Sequence, residues 1–261
     1  MKRAYAYIDG FNLYYSIKNS NYKWMNLKAL VERILPDFDI IRLKYFTANV
    51  SGAVDFDAPR RQKIYFNALE TIPELEIIKG NFISKYVWRR LVSFPYAGID
   101  LTHTDGSVIN LKQGVYSFPN PHTNTSEKVY VDSNPNNYKE ARALKKRIFD
   151  KKFPNVYVHT NEEKGSDVNL GSHLINDAWG DCFDSAAIIS ADTDLIEPVR
   201  IVTQERKKEV IIIAPFGRQV EKFRAISTEI RKTREKHLMA CQFPDPIILP
   251  DGTALNKPTN W

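Results

Sequence analysis

The sequence predicts an α/β fold built around a mainly parallel sheet, and two features of the 261-residue chain lead to this prediction. First, short apolar segments alternate with segments whose apolar residues recur at helical spacing, which is the pattern of successive β-α-β units. Second, segments 186–191 (AAIISA) and 210–214 (VIIIA) are apolar at nearly every position. Strands of this kind are expected where helices cover both faces of a parallel sheet.

The individual elements are predicted from apolar spacing and from the residues that end helices. Segment 5–8 is a short apolar and aromatic strand that ends at Asp9-Gly10. Pro36 and Pro73 end two of the helices, because proline cannot continue a helix. The predicted strands are 5–8, 40–50, 75–82, 156–160, 186–191 and 210–214, and the predicted helices are 11–19, 27–35, 60–72, 139–149, 167–179, 195–204 and 219–238.

Residues 84–138 interrupt this alternation. They are rich in Tyr, Ser, Thr, Asn, Pro and Gly and contain only short β-like runs. We therefore interpret them as a β-rich insertion into one domain formed by residues 1–83 and 139–240. The four prolines after residue 243 indicate that residues 241–261 form an extended C-terminal tail.

The sequence gives no sign of secretion or of a membrane span. Cys182 and Cys241 have neither the number nor the spacing of a disulfide framework or a zinc site. Asp9 interrupts the first apolar stretch, which is too short for a signal peptide, and the apolar run 210–216 is too short to cross a bilayer. We therefore expect a cytoplasmic protein with no membrane partner.

The basic residues are unevenly distributed along a chain of net charge +6. Residues 139–152 carry a net charge of +5 and residues 200–238 a net charge of +6, so the rest of the chain is acidic. A basic band beside an acidic cleft suits a polyanion held near a metal ion. Two helices with solvated outer faces would have the same composition, so charge alone leaves both interpretations open.

Acidic residues follow several of the predicted strands. Asp9 comes directly after the first strand, Asp192 and Asp194 follow segment 186–191, and Asp167 begins the helix after strand 156–160. Because ligands bind at the carboxyl ends of parallel strands, we expect these side chains to meet at one edge. Several carboxylates together suit Mg²⁺ or Mn²⁺, which can activate water to attack a phosphodiester.

Each aspartate also has a purely structural interpretation. Asp194 and Glu197 have the spacing of a helix cap with its reciprocal glutamate, and Ser166 or Asp167 can cap the next helix upstream. Asp9-Gly10 can be a simple turn. Taken one at a time, these interpretations are the better ones, but the joint placement of the aspartates at strand ends favours a shared site.

Four ordered segments carry a resemblance to a known family. Segments 7–17 (YIDGFNLYYSI), 162–179, 186–202 and 207–217 resemble the NYN domain, the LabA-like branch of the PIN-like nuclease superfamily. The resemblance implies a three-layer α/β/α, Rossmannoid PIN-like fold and a metal-dependent ribonuclease activity. The insertion at 84–138 has no counterpart in the family pattern.

The resemblance also implies roles for particular residues. Asp9, Asp167, Asp192 and Asp194 would be the catalytic carboxylates that bind Mg²⁺ or Mn²⁺. Asn12 would orient water or the metal as the motif partner of Asp9. We add that Lys164 lies close enough to the second motif to face a substrate phosphate.

These observations predict an endoribonuclease whose partner is single-stranded or structured RNA. Tyr86, Trp88, Tyr96 and Tyr116 of the insertion would either stack on bases or pack a small hairpin core. A non-catalytic RNA-binding protein that keeps the fold is the alternative, and a small-molecule phosphatase is a third function with the same chemistry. Whether the insertion forms a homo-oligomer contact stays open.

Overall fold

The computed structural model describes residues 1–52, 55–90 and 155–259, together with four strand segments between residues 100 and 131. The helices are α1 Gly10–Ile17, α2 Leu27–Ile34, α3 Ala58–Leu69, α4 Ser166–Trp179, α5 Ile196–Arg200 and α6 Glu235–Ala240. The strands are β1 Lys2–Asp9, β2 Phe38–Ala48, β3 Leu75–Arg90, β4 Asp100–Thr102, β5 Val108–Asn110, β6 Gly114–Asn120, β7 Thr125–Val131, β8 Asn155–Lys164, β9 Ser185–Ile189, β10 Glu209–Ala214, β11 Glu229–Lys232, β12 Ile247–Ile248 and β13 Ala254–Leu255.

The main sheet has the strand order β11-β10-β9-β1-β2-β3-β8. From β11 to β3 each strand is parallel to its neighbour. Helices follow β1, β2, β9 and β11 along the chain, as expected where parallel strands need long connections. The predicted α/β fold with a mainly parallel central sheet is confirmed.

Alternate residues of the central strands pack into two separate hydrophobic cores, one on each face of the sheet. Ala4, Ala6 and Ile8 of β1 pack into the core that α1, α2 and α3 share, whereas Tyr7 packs into the core of α4 and α5. Because both faces of the sheet are covered, the central strands carry apolar residues at every position, which explains the continuous runs in β9 and β10. The layers are therefore helix, sheet and helix.

Beneath α4 the second core contains a buried ion pair. Lys44 Nζ on β2 lies 2.6 Å from Asp177 Oδ2 on α4, and the two side chains are 9% and 8% exposed. Tyr7 Oη donates a hydrogen bond of 2.7 Å to the same oxygen, and His173 Nδ1 lies 3.2 Å from the ammonium. The buried carboxylate of Asp177 on α4 therefore has its partners on β1 and β2.

The chain divides into two units, Met1–Phe82 with Glu163–Trp261 and Ile83–Glu162. In the second unit β4 pairs with β5 and β6 with β7, both antiparallel. The predicted basic helix at 139–149 lies outside the described residues, as do the side chains of Tyr86, Trp88, Tyr96 and Tyr116.

The predicted helix at 219–238 is wrong. The structure has a 3-10 turn at Glu221–Phe223, strand β11 and the short helix α6 in its place. Ile226 and Ile230 have helical spacing, but both pack against the second core, and β11 pairs in parallel with β10. Hydrogen bonds between Val210 and Thr228 fix the start of this pairing.

Residues after α6 are held against the loop between α1 and α2. The ring of Phe243 lies 5.7 Å from the ring of Trp24, and Trp24 Nε1 donates to the carbonyl of Pro244. Further along, β12 and β13 form a small antiparallel pair. Among the described residues, no helix combines the length and the apolar character that crossing a bilayer requires.

Candidate functional site

Asp9 lies at the carboxyl end of β1 and is 3% exposed. Its Oδ1 accepts from the backbone N–H of Asn12, and its Oδ2 accepts from Asn12 Nδ2 and Ser190 Oγ at 2.9 and 2.8 Å. Asn12 in turn accepts from the backbone N–H of Ala191. The side chains that follow β1 and β9 therefore meet in one hydrogen-bond network, with Asp9 as the cap of α1.

The buried position of Asp9 has a consequence for the pH dependence of stability. Burial raises the pKa of Asp9 above its ordinary value of 3.8, hydrogen bonds from Asn12 and Ser190 oppose the rise, and the charge of Asp192 adds to it. Between the ordinary and the raised pKa the folded state binds more protons than the unfolded state, so the contribution of Asp9 to stability falls as pH rises through this window.

We therefore expect the stability advantage of the wild type over Asp9→Asn to shrink as pH rises above 3.8. The measurement is urea denaturation from pH 3.5 to 7. Asp184→Asn is the control of opposite sign, because a hydrogen bond from Arg3 lowers the pKa of Asp184 and the stabilisation is lost as pH falls. If the stability advantage of the wild type changed with pH in the same direction for both variants, the raised pKa of Asp9 would be contradicted.

The other predicted acidic residues lie at the same edge but differ in their surroundings. Asp192 Oδ1 accepts from the backbone N–H of Asp194, so Asp192 caps the 3-10 turn after β9. The cap that the sequence offered as one interpretation of Asp194 is thus formed by Asp192, and Asp194 is exposed. Asp167 is half-buried in the first turn of α4. In the same turn, Ser166 Oγ donates a hydrogen bond to the carbonyl of Thr47 at the end of β2.

The structure therefore brings together Asp9, Asn12 and Asp192, and places Asp167 at the same sheet edge. Lys164 is the last residue of β8 and is exposed. Within the described part of the chain, no three Asp, Glu, His or Cys side chains are grouped so that they could hold a metal ion. Both oxygens of Asp9 accept hydrogen bonds from Asn12 and Ser190.

A cavity of about 190 Å³ opens beside this edge, between α1 and α3. Tyr45, Tyr65 and Phe66 form a buried wall, whereas Tyr14 and Tyr15 are 43% and 52% exposed. The complete lining consists of Gly10, Phe11, Leu13, Tyr14, Tyr15, Ile17, Lys23, Met25, Tyr45, Thr47, Val50, Ala58, Arg61, Gln62, Tyr65 and Phe66. A concave surface of mainly apolar and aromatic residues with a few polar groups is the usual form of a small-molecule site.

The hydroxyl of Tyr45 is held against the start of α1. An added Cβ at Gly10 would lie 2.8 Å from Tyr45 Oη and 2.7 Å from the carbonyl oxygen of Phe46, so this close approach requires glycine. Burial raises the pKa of Tyr45, a hydrogen bond with Thr47 opposes the rise, and the charge of Asp9 adds to it. The phenol therefore stays protonated at neutral pH and is a polar group in an otherwise apolar wall.

The lining contains two cations. Burial lowers the pKa of Lys23, and the positive charges of Arg61 and Lys257 lower it further. Arg61 forms an ion pair with Asp55. Neither residue was predicted from the sequence, because the two come from separate segments and form no motif. The aromatic run at 11–15 (FNLYY) was the signal that could have pointed to the cavity.

Fold and site together define a three-layer α/β protein with an aromatic cavity at the carboxyl edge of its sheet. No family model matches the sequence. Over 285 aligned residues the chain is 25% identical to the 6-hydroxy-3-succinoylpyridine 3-monooxygenase HspA of Pseudomonas putida, covering 99% of this chain and 75% of that protein. The crystal structure of a protein of unknown function from Vibrio parahaemolyticus matches with a TM-score of 0.46 and 12% identity over 90% of this chain and 94% of that chain.

These findings correct the predicted function. The Pseudomonas relative is named as a monooxygenase, which is an oxidoreductase and not a phosphodiester hydrolase. The predicted ribonuclease activity is therefore wrong, and so is the Mg²⁺ or Mn²⁺ cofactor that it required, for which the described residues also form no binding group. The resemblance to the NYN domain, RNA as a partner and a homo-oligomer stay predictions.

Proposed function

We propose that the chain is an oxidoreductase of the monooxygenase class that acts on a small hydroxylated N-heteroaromatic acid. The observation that carries this proposal is the cavity between α1 and α3, with its aromatic walls and its cation Lys23. The name of the Pseudomonas relative supports the reaction class, and it specifies a pyridine ring with a hydroxyl group and a succinoyl chain. Aromatic walls suit such a ring, and a cation suits the carboxylate of such a chain.

The residues of the cavity would bind and orient the substrate. The buried rings of Tyr65 and Phe66 offer apolar contact to a flat heteroaromatic ring, and the exposed Tyr15 would cover it from the solvent side. The protonated Tyr45 hydroxyl can donate a hydrogen bond to a ring oxygen or nitrogen. Covering the ring in this way excludes water from the position where oxygen is transferred.

A monooxygenase reaction needs O₂ and a reduced donor. One oxygen atom enters the product and the other leaves as water, so two electrons and two protons come from a donor such as NADH or a reduced flavin. The cavity of about 190 Å³ is smaller than the roughly 300 to 1,000 Å³ usual for pockets that bury a drug-sized ligand, so it has room for one substituted ring and not for a whole flavin. The turn after β1 also reads DGFN and lacks the glycine-rich dinucleotide-binding pattern.

The direct test is oxygenation of 6-hydroxy-3-succinoylpyridine by the purified protein under ¹⁸O₂. NADH or NADPH is added with and without FAD, and mass spectrometry follows the products. We expect a product that carries one ¹⁸O atom and that depends on the reduced donor. Absence of ¹⁸O from every product under all donor combinations would contradict the proposal.

The cavity itself is tested with Tyr15→Ala. Loss of the covering ring is expected to raise KM about tenfold, because burying and stacking an aromatic ring contributes roughly 1.5 kcal/mol. Phe56→Ala is the matched control, since Phe56 is 91% exposed and does not line the cavity. Equal KM values for the two variants would place substrate binding elsewhere.

We also propose that the protein works in the cytoplasm. Both cysteines, Cys182 and Cys241, are free thiols, and free thiols persist in a reducing compartment.

A further inference from the structure

Three cations from distant parts of the chain approach one another at the cavity between α1 and α3. Lys23 from the loop before α2 and Arg61 from α3 line the cavity. Arg61 also lines a smaller cavity of about 90 Å³ together with Pro258 and Thr259 of the C-terminal segment. Lys257 directly precedes Pro258 and is close enough for its charge to act on Lys23.

The C-terminal segment that carries Lys257 is fixed in place. The backbone N–H of Lys257 donates to Asp245 Oδ1 at 3.0 Å. The chain just before Asp245 is anchored to Trp24, the residue that follows Lys23. The backbone N–H of Phe243 donates to the carbonyl of Trp24, and Trp24 Nε1 donates to the carbonyl of Pro244. Lys23 and Lys257 are therefore positioned by the same set of contacts.

In the described part of the chain, Lys23 is the cation of this group that no carboxylate offsets. The carboxylate of Asp55 pairs with Arg61, and Asp57 lines the smaller cavity beside Arg60. Among the described residues, none of the groups that act on Lys23 is a carboxylate, and both charged neighbours that act on it are positive. Holding cations together in a partly buried place is costly unless an anion joins them.

We propose that Lys23, Arg61 and Lys257 form the subsite that binds the carboxylate of the ligand, and that the C-terminal segment is thereby part of the binding site. The identity of the ring beside this subsite rests on the proposed function. Ammonium and guanidinium groups bind a carboxylate through charge-assisted hydrogen bonds, which are about twice as strong as neutral ones. Aromatic walls and a cationic end together select an aromatic acid over its neutral analogue.

The test compares binding of 6-hydroxynicotinate with binding of 6-hydroxynicotinamide, which has the same ring and no charge. Isothermal titration of the full chain is expected to give a Kd about tenfold lower for the acid. Lys23→Met should remove this preference and leave the affinity for the amide unchanged. Lys257→Met should weaken binding of the acid severalfold. Lys63→Met is the matched control, because Lys63 is an exposed residue of α3 outside the cavity lining.

The outcomes separate this inference from the proposed reaction. Selective binding of the acid that depends on Lys23, without any oxygenation of the pyridine substrate, would keep the subsite and overturn the monooxygenase proposal. Equal affinity for acid and amide, no binding of either probe, or an unchanged preference in Lys23→Met would overturn the subsite. A preference lost in Lys63→Met as well would show a general charge effect and also overturn it.

Discussion

Lys44→Met is expected to lower the free energy of unfolding by about 3 to 5 kcal/mol, because it leaves a carboxylate buried without its counter-ion. Asp177 is 8% exposed, and its Oδ2 lies 2.6 Å from Lys44 Nζ. After the substitution, the Tyr7 hydroxyl still donates to this oxygen, but a neutral donor does not balance a full charge. Methionine keeps most of the lysine volume, so the loss of stability reflects the missing charge and not poorer packing.

Arg42→Met is the matched control for this prediction. Arg42 lies on the same strand, and its Nη2 lies 3.3 Å from Glu76 Oε2 with side chains 45% and 43% exposed. An exposed pair of this kind contributes about 0 to 1 kcal/mol. Urea denaturation should therefore separate the two variants clearly, and equal losses would show that the Lys44 pair behaves like a surface pair.

A double variant isolates the charge. Adding Asp177→Asn to Lys44→Met is expected to recover part of the lost stability, because the neutral amide still accepts from Tyr7 and carries no charge to bury. The opposite result, a further loss of similar size, would mean that the carboxylate stabilises the core without its cation.

Much of the fold was predictable because the burial of its strands is encoded locally. β9 and β10 carry continuous apolar runs, and the alternation of elements predicts parallel pairing without knowledge of the partners. The region after β10 was not predictable in this way. There Ile226 and Ile230 fit a helix by spacing, and what makes residues 229–232 a strand is pairing with β10, a contact that no local pattern records.

The candidate site was predictable only in part. Asp9 and Asp192 come together because the carboxyl ends of neighbouring parallel strands share an edge, as expected from sequence. The sequence did not show that Asn12 and Ser190 donate hydrogen bonds to both oxygens of the Asp9 carboxylate, because such bonds depend on side-chain directions. The cavity was missed for the same kind of reason, since Lys23, Arg61 and the aromatic rings meet only after α1 and α3 pack on β2.

Gly10→Ala is expected to destabilise the fold by about 2 to 3 kcal/mol and to weaken binding of the aromatic acid. Its Cβ would lie 2.7 Å from the carbonyl oxygen of Phe46 and 2.8 Å from Tyr45 Cζ and Oη. The carbonyl belongs to a buried strand of the parallel sheet, so α1 or the Tyr45 ring must move instead. Both line the cavity, and thus one methyl group is expected to affect stability and ligand affinity together.

Gly52→Ala is the control, because its added Cβ would make ordinary contacts of 3.5 Å or more. We expect a change within about 0.5 kcal/mol for this variant by urea denaturation, and an unchanged Kd for 6-hydroxynicotinate. Tyr45→Phe in the Gly10→Ala background removes the contact with the hydroxyl and leaves the contacts with the ring carbon Cζ and with the Phe46 carbonyl. Partial recovery of the free energy of unfolding would therefore assign the loss to both residues, Tyr45 and Phe46. If Gly10→Ala were as stable as Gly52→Ala, α1 would not approach β2 this closely.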